Sequence, residues 1–164
     1  MDNVKMESIA IVRADVADDV SRGLISALNA ELSDLYPEPG ANHFQLDAEE
    51  VGQGRGAFFV IYRSGTAVGC GAVRLLDAET AELKRMYVAP LARGQGLGRR
   101  LVDTLEAEAR TLGARRLVLE TGTRQEAALG LYRASGFQPI PLFGEYCLSA
   151  ETSVCLGKDI EQHE

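Results

Sequence analysis

The segment "AELKRMYVAPLARGQGLGRRLVDTLEAEA", residues 81 to 109, constrains this chain more than any other. An alternating stretch passes through Gly94, Gly96 and Gly98 into an amphipathic run whose Leu97, Leu101, Leu105 and Leu112 trace one helical stripe. A strand that turns through glycines into a helix lets backbone N–H groups converge, and the helix dipole adds positive potential there. Residues 93 to 100 also carry Arg93, Arg99 and Arg100 with no acid among them, although the formal net charge of the chain is -7. Cations in the first turn of a helix oppose its dipole. A phosphate-bearing ligand explains their placement, through charge-assisted bonds. A flexible loop of solvated arginines is the plainer alternative.

The remaining pattern predicts an α/β domain around one mixed sheet of about seven strands flanked by helices. Residues 8–13 alternate as a strand, and 15–32 read as a helix capped by Asp15. Proline and glycine in "YPEPGANHF" mark a loop. Three antiparallel strands follow at 57–63, 67–76 and 80–88, then a helix from about Gly96 to Leu112 and a buried strand at 115–120. "TRQE", residues 123–126, has the capping-box spacing and opens a helix that ends near Gly136. "GFQPI" and "TSVCLGK" supply two last strands. The 164 residues fit a single domain, 1–164, with 1–7 and 158–164 as loosely ordered ends.

Composition narrows the class. No apolar run approaches the roughly 20 residues of a membrane span. The acidic start lacks the pattern of a signal or transit peptide, and the acidic balance disfavours nucleic acid. Three cysteines without CxxC spacing argue against a disulfide frame or structural zinc. Cys70 and Cys155 read as buried inert thiols. The expectation is a cytoplasmic protein without metal, membrane or nucleic-acid partner.

Two phosphate-binding patterns fit poorly. No Lys-Ser/Thr follows the glycines, so the turn is not a Walker loop. The glycines read GxGxG rather than GxGxxG and follow a meander, which counts against a dinucleotide fold, although Glu120 lies about where its ribose-binding acid would be.

"RGQGLG" matches R/Q-x-x-G-x-G/A, and its flanks are Glu82, eleven residues upstream of Arg93, and "LY...GF" at Leu131, Tyr132, Gly136 and Phe137. In these motifs and in element order the chain resembles the GNAT superfamily of acyl-CoA-dependent N-acetyltransferases, in particular small single-domain bacterial-type members. The resemblance implies an acetyltransferase that moves the acetyl group of acetyl-CoA, its co-substrate, directly to a primary amine of a small molecule or peptide. Cofactor contacts are then expected from Met86, Tyr87, Val88, Arg93, Gly94, Gln95, Gly96, Leu97, Gly98, Arg99, Gln125, Ala128 and Tyr132. Glu82 becomes the general base, and Tyr132 the general acid toward the sulfur. A protonated amine near pKa 10 must lose its proton before it can attack, and a half-buried carboxylate suits that work.

Strict alternation puts Glu82, Lys84, Met86 and Val88 on one face, with Leu83, Arg85 and Tyr87 on the other. His43 and Glu120 are candidate substrate contacts, and Tyr36, Glu145 and Tyr146 lie in loops that could line an acceptor pocket. Each has a plainer alternative: a surface ion pair for Glu82, a core position for Tyr132, a surface loop for His43, a salt bridge to Arg115 or Arg116 for Glu120. A non-catalytic acyl-CoA-binding module with the same fold is the alternative function, and a homodimer is left open.

Overall fold

A computed structural model describes residues 8–37 and 48–160. Its strands are β1 (Ile9–Ala14), β2 (Gly56–Arg63), β3 (Thr66–Leu75), β4 (Thr80–Val88), β5 (Arg116–Gly122), β6 (Gln138–Ile140) and β7 (Ser153–Asp159). Helices α1 (Asp19–Leu35), α2 (Leu97–Thr111) and α3 (Glu126–Ala134) complete the regular elements. One seven-stranded sheet runs in the order β1-β2-β3-β4-β5-β7-β6, with β4 and β5 parallel and every other pair antiparallel. The mixed sheet matches the expected fold class.

Apolar side chains divide between two faces. On one, Leu97, Leu101 and Leu105 of α2 pack on Phe59, Ile61, Val73, Leu83 and Leu119. On the other, Leu24 of α1 joins Phe58, Val60, Cys70 and Ala72. Burial on both sides accounts for the near-continuous apolar runs of β2 and β3. Leu112 is only partly buried against the first cluster, so the stripe read from the sequence holds through Leu105 and weakens at its end.

Two helix starts differ from expectation. Asp18, not Asp15, caps α1 by accepting from Ser21 N–H at 2.7 Å. The Asp15 carboxylate instead takes Ala17 N–H at 2.8 Å, a local turn that competes with helix and delays its start. No capping box forms at "TRQE": Gln125 precedes α3 without a side-chain cap, and its Oε1 accepts from Gly122 N–H, back toward the strand. The expected loose end also begins too early. Lys158 and Asp159 belong to β7, and Ile160 is buried at 1 % exposure.

The larger departure lies in β4. Cys70 pairs with Tyr87 and Ala72 with Lys84, so Arg85 and Met86 together oppose Gly71. This is a β-bulge, with Arg85 at φ 56. The extra residue inverts the alternation. Glu82 and Lys84 share the α1 face with Tyr87, while Met86 and Val88 turn to the α2 face with Leu83. The four-residue face of Glu82, Lys84, Met86 and Val88 read from strict alternation is therefore incorrect. Cys70 Sγ, lying beneath the bulge, donates to the Arg85 carbonyl at 3.4 Å.

Gly71 makes room for the bulge. A Cβ there would stand 2.7 Å from Met86 Sδ and 2.9 Å from Leu101 Cδ2. Gly71→Val is expected to overpack this contact and destabilise the fold by about 1–3 kcal/mol, read as a lower midpoint in urea unfolding.

Candidate active site

Strands β4 and β5 pair only from Thr80 opposite Arg116 to Leu83 opposite Leu119. Beyond that point β4 continues on β3 to Val88, and β5 continues on β7 to Gly122. Two adjoining cavities open in the gap. The larger, about 720 Å³, runs from Met86, Tyr87 and Val88 past the glycine turn to Ala128, Leu131 and Tyr132 of α3. The smaller, about 100 Å³, is lined by Lys84, Arg85, Glu120, Thr121, Tyr146 and Ser153 among others. Met86, Gln125 and Tyr132 border both.

α1 supplies the wall opposite the sheet. Leu28 and Leu32 border both cavities, and Tyr36, just past the helix, accepts a hydrogen bond from Arg124 N–H at 2.7 Å. The Arg124 guanidinium lies 5.0 Å from the Tyr36 ring and donates to Leu35 O. A side chain at Gly122 would fall on the Tyr36 hydroxyl, so this closure needs glycine there.

In the turn before α2, Gly94 and Gly96 have φ 78 and 79. A Cβ at either would meet nothing within 4 Å. Backbone conformation, not crowding, selects glycine at both positions. Gly98 differs: its Cβ would approach Leu131 Cδ2 to 3.0 Å, which sets the spacing of α2 and α3. Arg93, Arg99 and Arg124 line the larger cavity beside the turn. Arg93 donates to Val88 O and pairs with Glu31 of α1 at 2.6 Å. Converging left-handed glycines, open space and three guanidiniums fit a polyanionic ligand at this end.

Charge is arranged differently in the smaller cavity. Glu82, with 0 % exposure, accepts from Arg74 Nε at 2.9 Å and from the Tyr146 hydroxyl at 2.6 Å. Arg74 also pairs with Glu50. Lys84 Nζ lies 3.8 Å from Glu145. Burial, followed by the charges of Glu82 and Glu145, pushes the Glu120 carboxyl up to about 7. Burial raises the Tyr132 and Tyr146 hydroxyls too, the former with help from Glu120 and the latter from Glu82. Both phenols therefore stay protonated at neutral pH.

The acetyltransferase (GNAT) family model matches residues 22–137. The chain belongs to the GNAT family. It is 42% identical over 142 residues to the IAA acetyltransferase of Azospirillum brasilense, covering 86% of this chain and 92% of that one. A Klebsiella pneumoniae structure assigned as an acyl-CoA N-acyltransferase superposes with a TM-score of 0.77 at 34% identity, covering 94% and 98% of the two chains. A GNAT acetyltransferase of Elizabethkingia anophelis, crystallised with acetyl-CoA bound, shares the fold at TM-score 0.67 and 19% identity, over 93% of this chain and 98% of that one.

Most cofactor contacts expected of a GNAT chain border the larger cavity: Met86, Tyr87, Val88, Arg93, Gly94, Gly96, Leu97, Gly98, Arg99, Gln125, Ala128 and Tyr132. Gln95 does not, because its side chain is held by Arg63 Nη1 at 3.0 Å. The Val88 carbonyl, in a residue expected to contact the cofactor, is already engaged by Arg93. Tyr132 stands at the junction of the cavities, edge-on to Phe137 at 5.8 Å. Glu82 borders neither cavity and sits behind Tyr146. Glu120, a candidate substrate contact in the sequence, faces the smaller one.

His43 lies outside the described residues. Sequence reasoning named neither Arg85 nor Arg124 as a site residue, and gave Tyr146 no partner. Cys70 and Cys155 are buried thiols raised to about 12 and about 11, as expected of inert cysteines. Among the described residues no group of His, Cys, Asp and Glu could hold a metal ion, and no helix is long and apolar enough to cross a membrane.

A carboxyl raised from 4.5 to about 7 binds protons more tightly folded than unfolded, so wild-type stability falls as pH rises through that window. Glu120→Gln is expected to stabilise the ligand-free protein at pH 8 by about 1–3 kcal/mol. The gain should fade as pH approaches 4.5 in parallel urea titrations.

Proposed function

We propose that the chain is an acetyl-CoA-dependent N-acetyltransferase that acts by direct transfer to a primary amine. The observation that carries this reading is the meeting of two cavities at Met86 and Tyr132, one built for a long polyanion and one for a small acceptor. Gly94, Gly96, Arg93, Arg99 and Arg124 would hold the phosphates of acetyl-CoA, which supplies the activated acetyl thioester. Met86, Tyr87 and Val88 offer a strand edge that β5 has left.

Glu120 takes the role first expected of Glu82. Its carboxyl titrates near neutrality, so it removes a proton from an ammonium more readily than an ordinary glutamate does. Tyr132, kept protonated by burial, donates to the departing sulfur. The amine nitrogen gains the acetyl carbon, the carbon–sulfur bond breaks, and one amine proton ends on the thiol. Backbone N–H groups at the bulge would polarise the thioester carbonyl. Glu82 and Arg74 position Tyr146 at the acceptor wall.

A second proton route is favoured by one contact. The Tyr146 hydroxyl, bonded to Glu82 at 2.6 Å, links the acceptor cavity to that carboxylate. In this route Tyr146 takes the amine's proton as it passes its own to Glu82.

Glu120→Gln should lower kcat by about 100-fold or more while calorimetry still records acetyl-CoA binding. The wild-type kcat/KM should fall on the acid side of about pH 7, as Glu120 becomes protonated. If Glu120→Gln keeps full turnover and Tyr146→Phe abolishes it, the route through Glu82 replaces this one. Binding of acetyl-CoA without acetylation of any amine would leave the non-catalytic acyl-CoA module.

A further inference from the structure

Three of the charged pairs around the acceptor cavity are closed within the chain. Glu82 is met by Arg74, Arg74 also by Glu50, and Lys84 by Glu145. Two opposite charges on the wall are not. Among the described residues, no cation lies within salt-bridge distance of Glu120, and no hydrogen bond reaches its carboxylate. Among the described residues the Arg85 guanidinium, half-buried on the same wall, finds only the neutral Asn29 Oδ1, at 2.9 Å. Arg85 and Glu120 act on each other through space, yet they stand too far apart to pair.

Burying a charge without a partner is costly, and two such charges of opposite sign facing one small space would gain from being bridged. Nothing about the local backbone makes this arrangement easy to reach. Arg85 occupies the bulge at φ 56, a region non-glycine residues rarely adopt, and the bulge turns its side chain to the α1 face. Burial lowers the Arg85 pKa, the cost expected where a counter-ion is missing.

We propose that the acceptor is a small free amino acid, held by its carboxylate on Arg85 and by its amine at Glu120. The inference rests on the acetyltransferase reading and refines it. The cavity wall calls for both signs of charge. A peptide terminus, whose neighbouring carboxylate is already an amide, leaves Arg85 unmet. A simple amine does the same. The cavity of about 100 Å³ favours a short side chain.

The test is a panel assayed for CoA release and for acetylated product by mass spectrometry. It sets each standard amino acid beside its amide and beside the amine left when the carboxylate is removed. At least one amino acid should exceed both matched compounds in kcat/KM by 10-fold or more. Arg85→Asn, which suits left-handed backbone, should erase that preference, with the loss mainly in KM for the amino acid. Arg85→Lys should restore part of it. Circular dichroism confirms that both variants fold, and the wild-type comparison decides the matter if they do not. Equal or better use of amides or decarboxylated amines across the panel overturns the inference and leaves acetyl transfer standing. A preference that survives Arg85→Asn in a folded variant also overturns it. Acetyl-CoA binding without acetylation of any member overturns the acetyltransferase reading itself.

Discussion

The parting of β4 from β5 after Leu83 and Leu119 is the constraint on which the site depends. A sheet normally keeps its ladder closed, because backbone N–H and C=O groups left dry and unpaired are costly. Here two parallel strands agree for four residues and then separate, each still held by its other neighbour. The gap lies in the middle of the sheet, between the α1 and α2 layers, and both cavities form inside it. An added strand-like ligand is the natural partner for an edge opened in this way. The left-handed glycines of the following turn then meet whatever continues past that edge.

The bulge at Arg85 and Met86 decides which side chains enter the gap. Had β4 kept strict alternation, Arg85 would face the α2 core with Leu83, and Met86 would join Glu82 and Lys84. The extra residue sends Met86 toward Leu101 and brings Arg85 to the wall of the smaller cavity. Gly71 makes this possible from the neighbouring strand, since only a residue without a side chain leaves space for Met86 beside Leu101 and Leu105. One glycine on β3 therefore controls the identity of a charge in the cavity of β4. The coupling is steric and runs through close packing.

What the sequence disclosed and what it withheld follow one physical division. Periodicity reports whether a side chain faces apolar or polar surroundings, and so it located the strands, α2 and the glycine turn. Register across strands is not written in the period of either strand. The bulge could not be read from "AELKRMYV", and the face assignment failed for that reason. Helix starts depend on competition among nearby side chains. Asp15 and Asp18 are both good caps, and only the three-dimensional turn at Ala17 shows which one is used. The difference between Glu82 and Glu120 was hidden for another reason. Both are glutamates on adjoining strands, but Glu82 is consumed by Arg74 and Tyr146, contacts made over 8 and 64 residues of chain. Burial without compensation is a property of surroundings, and no local pattern records it.

The distribution of satisfied and unsatisfied charge separates scaffold from chemistry in this cavity. Arg74, Glu82 and Tyr146 form a closed group whose geometry fixes one wall, and its members gain little from a ligand. Glu120 and Arg85 are the reverse: each is held by packing in a position that its own electrostatics disfavours. Such positions persist only where surrounding structure over-determines them, as the bulge does for Arg85 and the β5–β7 pairing of Glu120 with Cys155 does for Glu120. A ligand that supplies both missing counter-charges would relieve both costs at once. An amine brought beside Glu120 also lowers that carboxyl's pKa by its own positive charge, so the base is ionised most completely when its substrate is in place. Proton removal would then follow binding, because the same contact that recognises the ammonium prepares the carboxylate to accept from it.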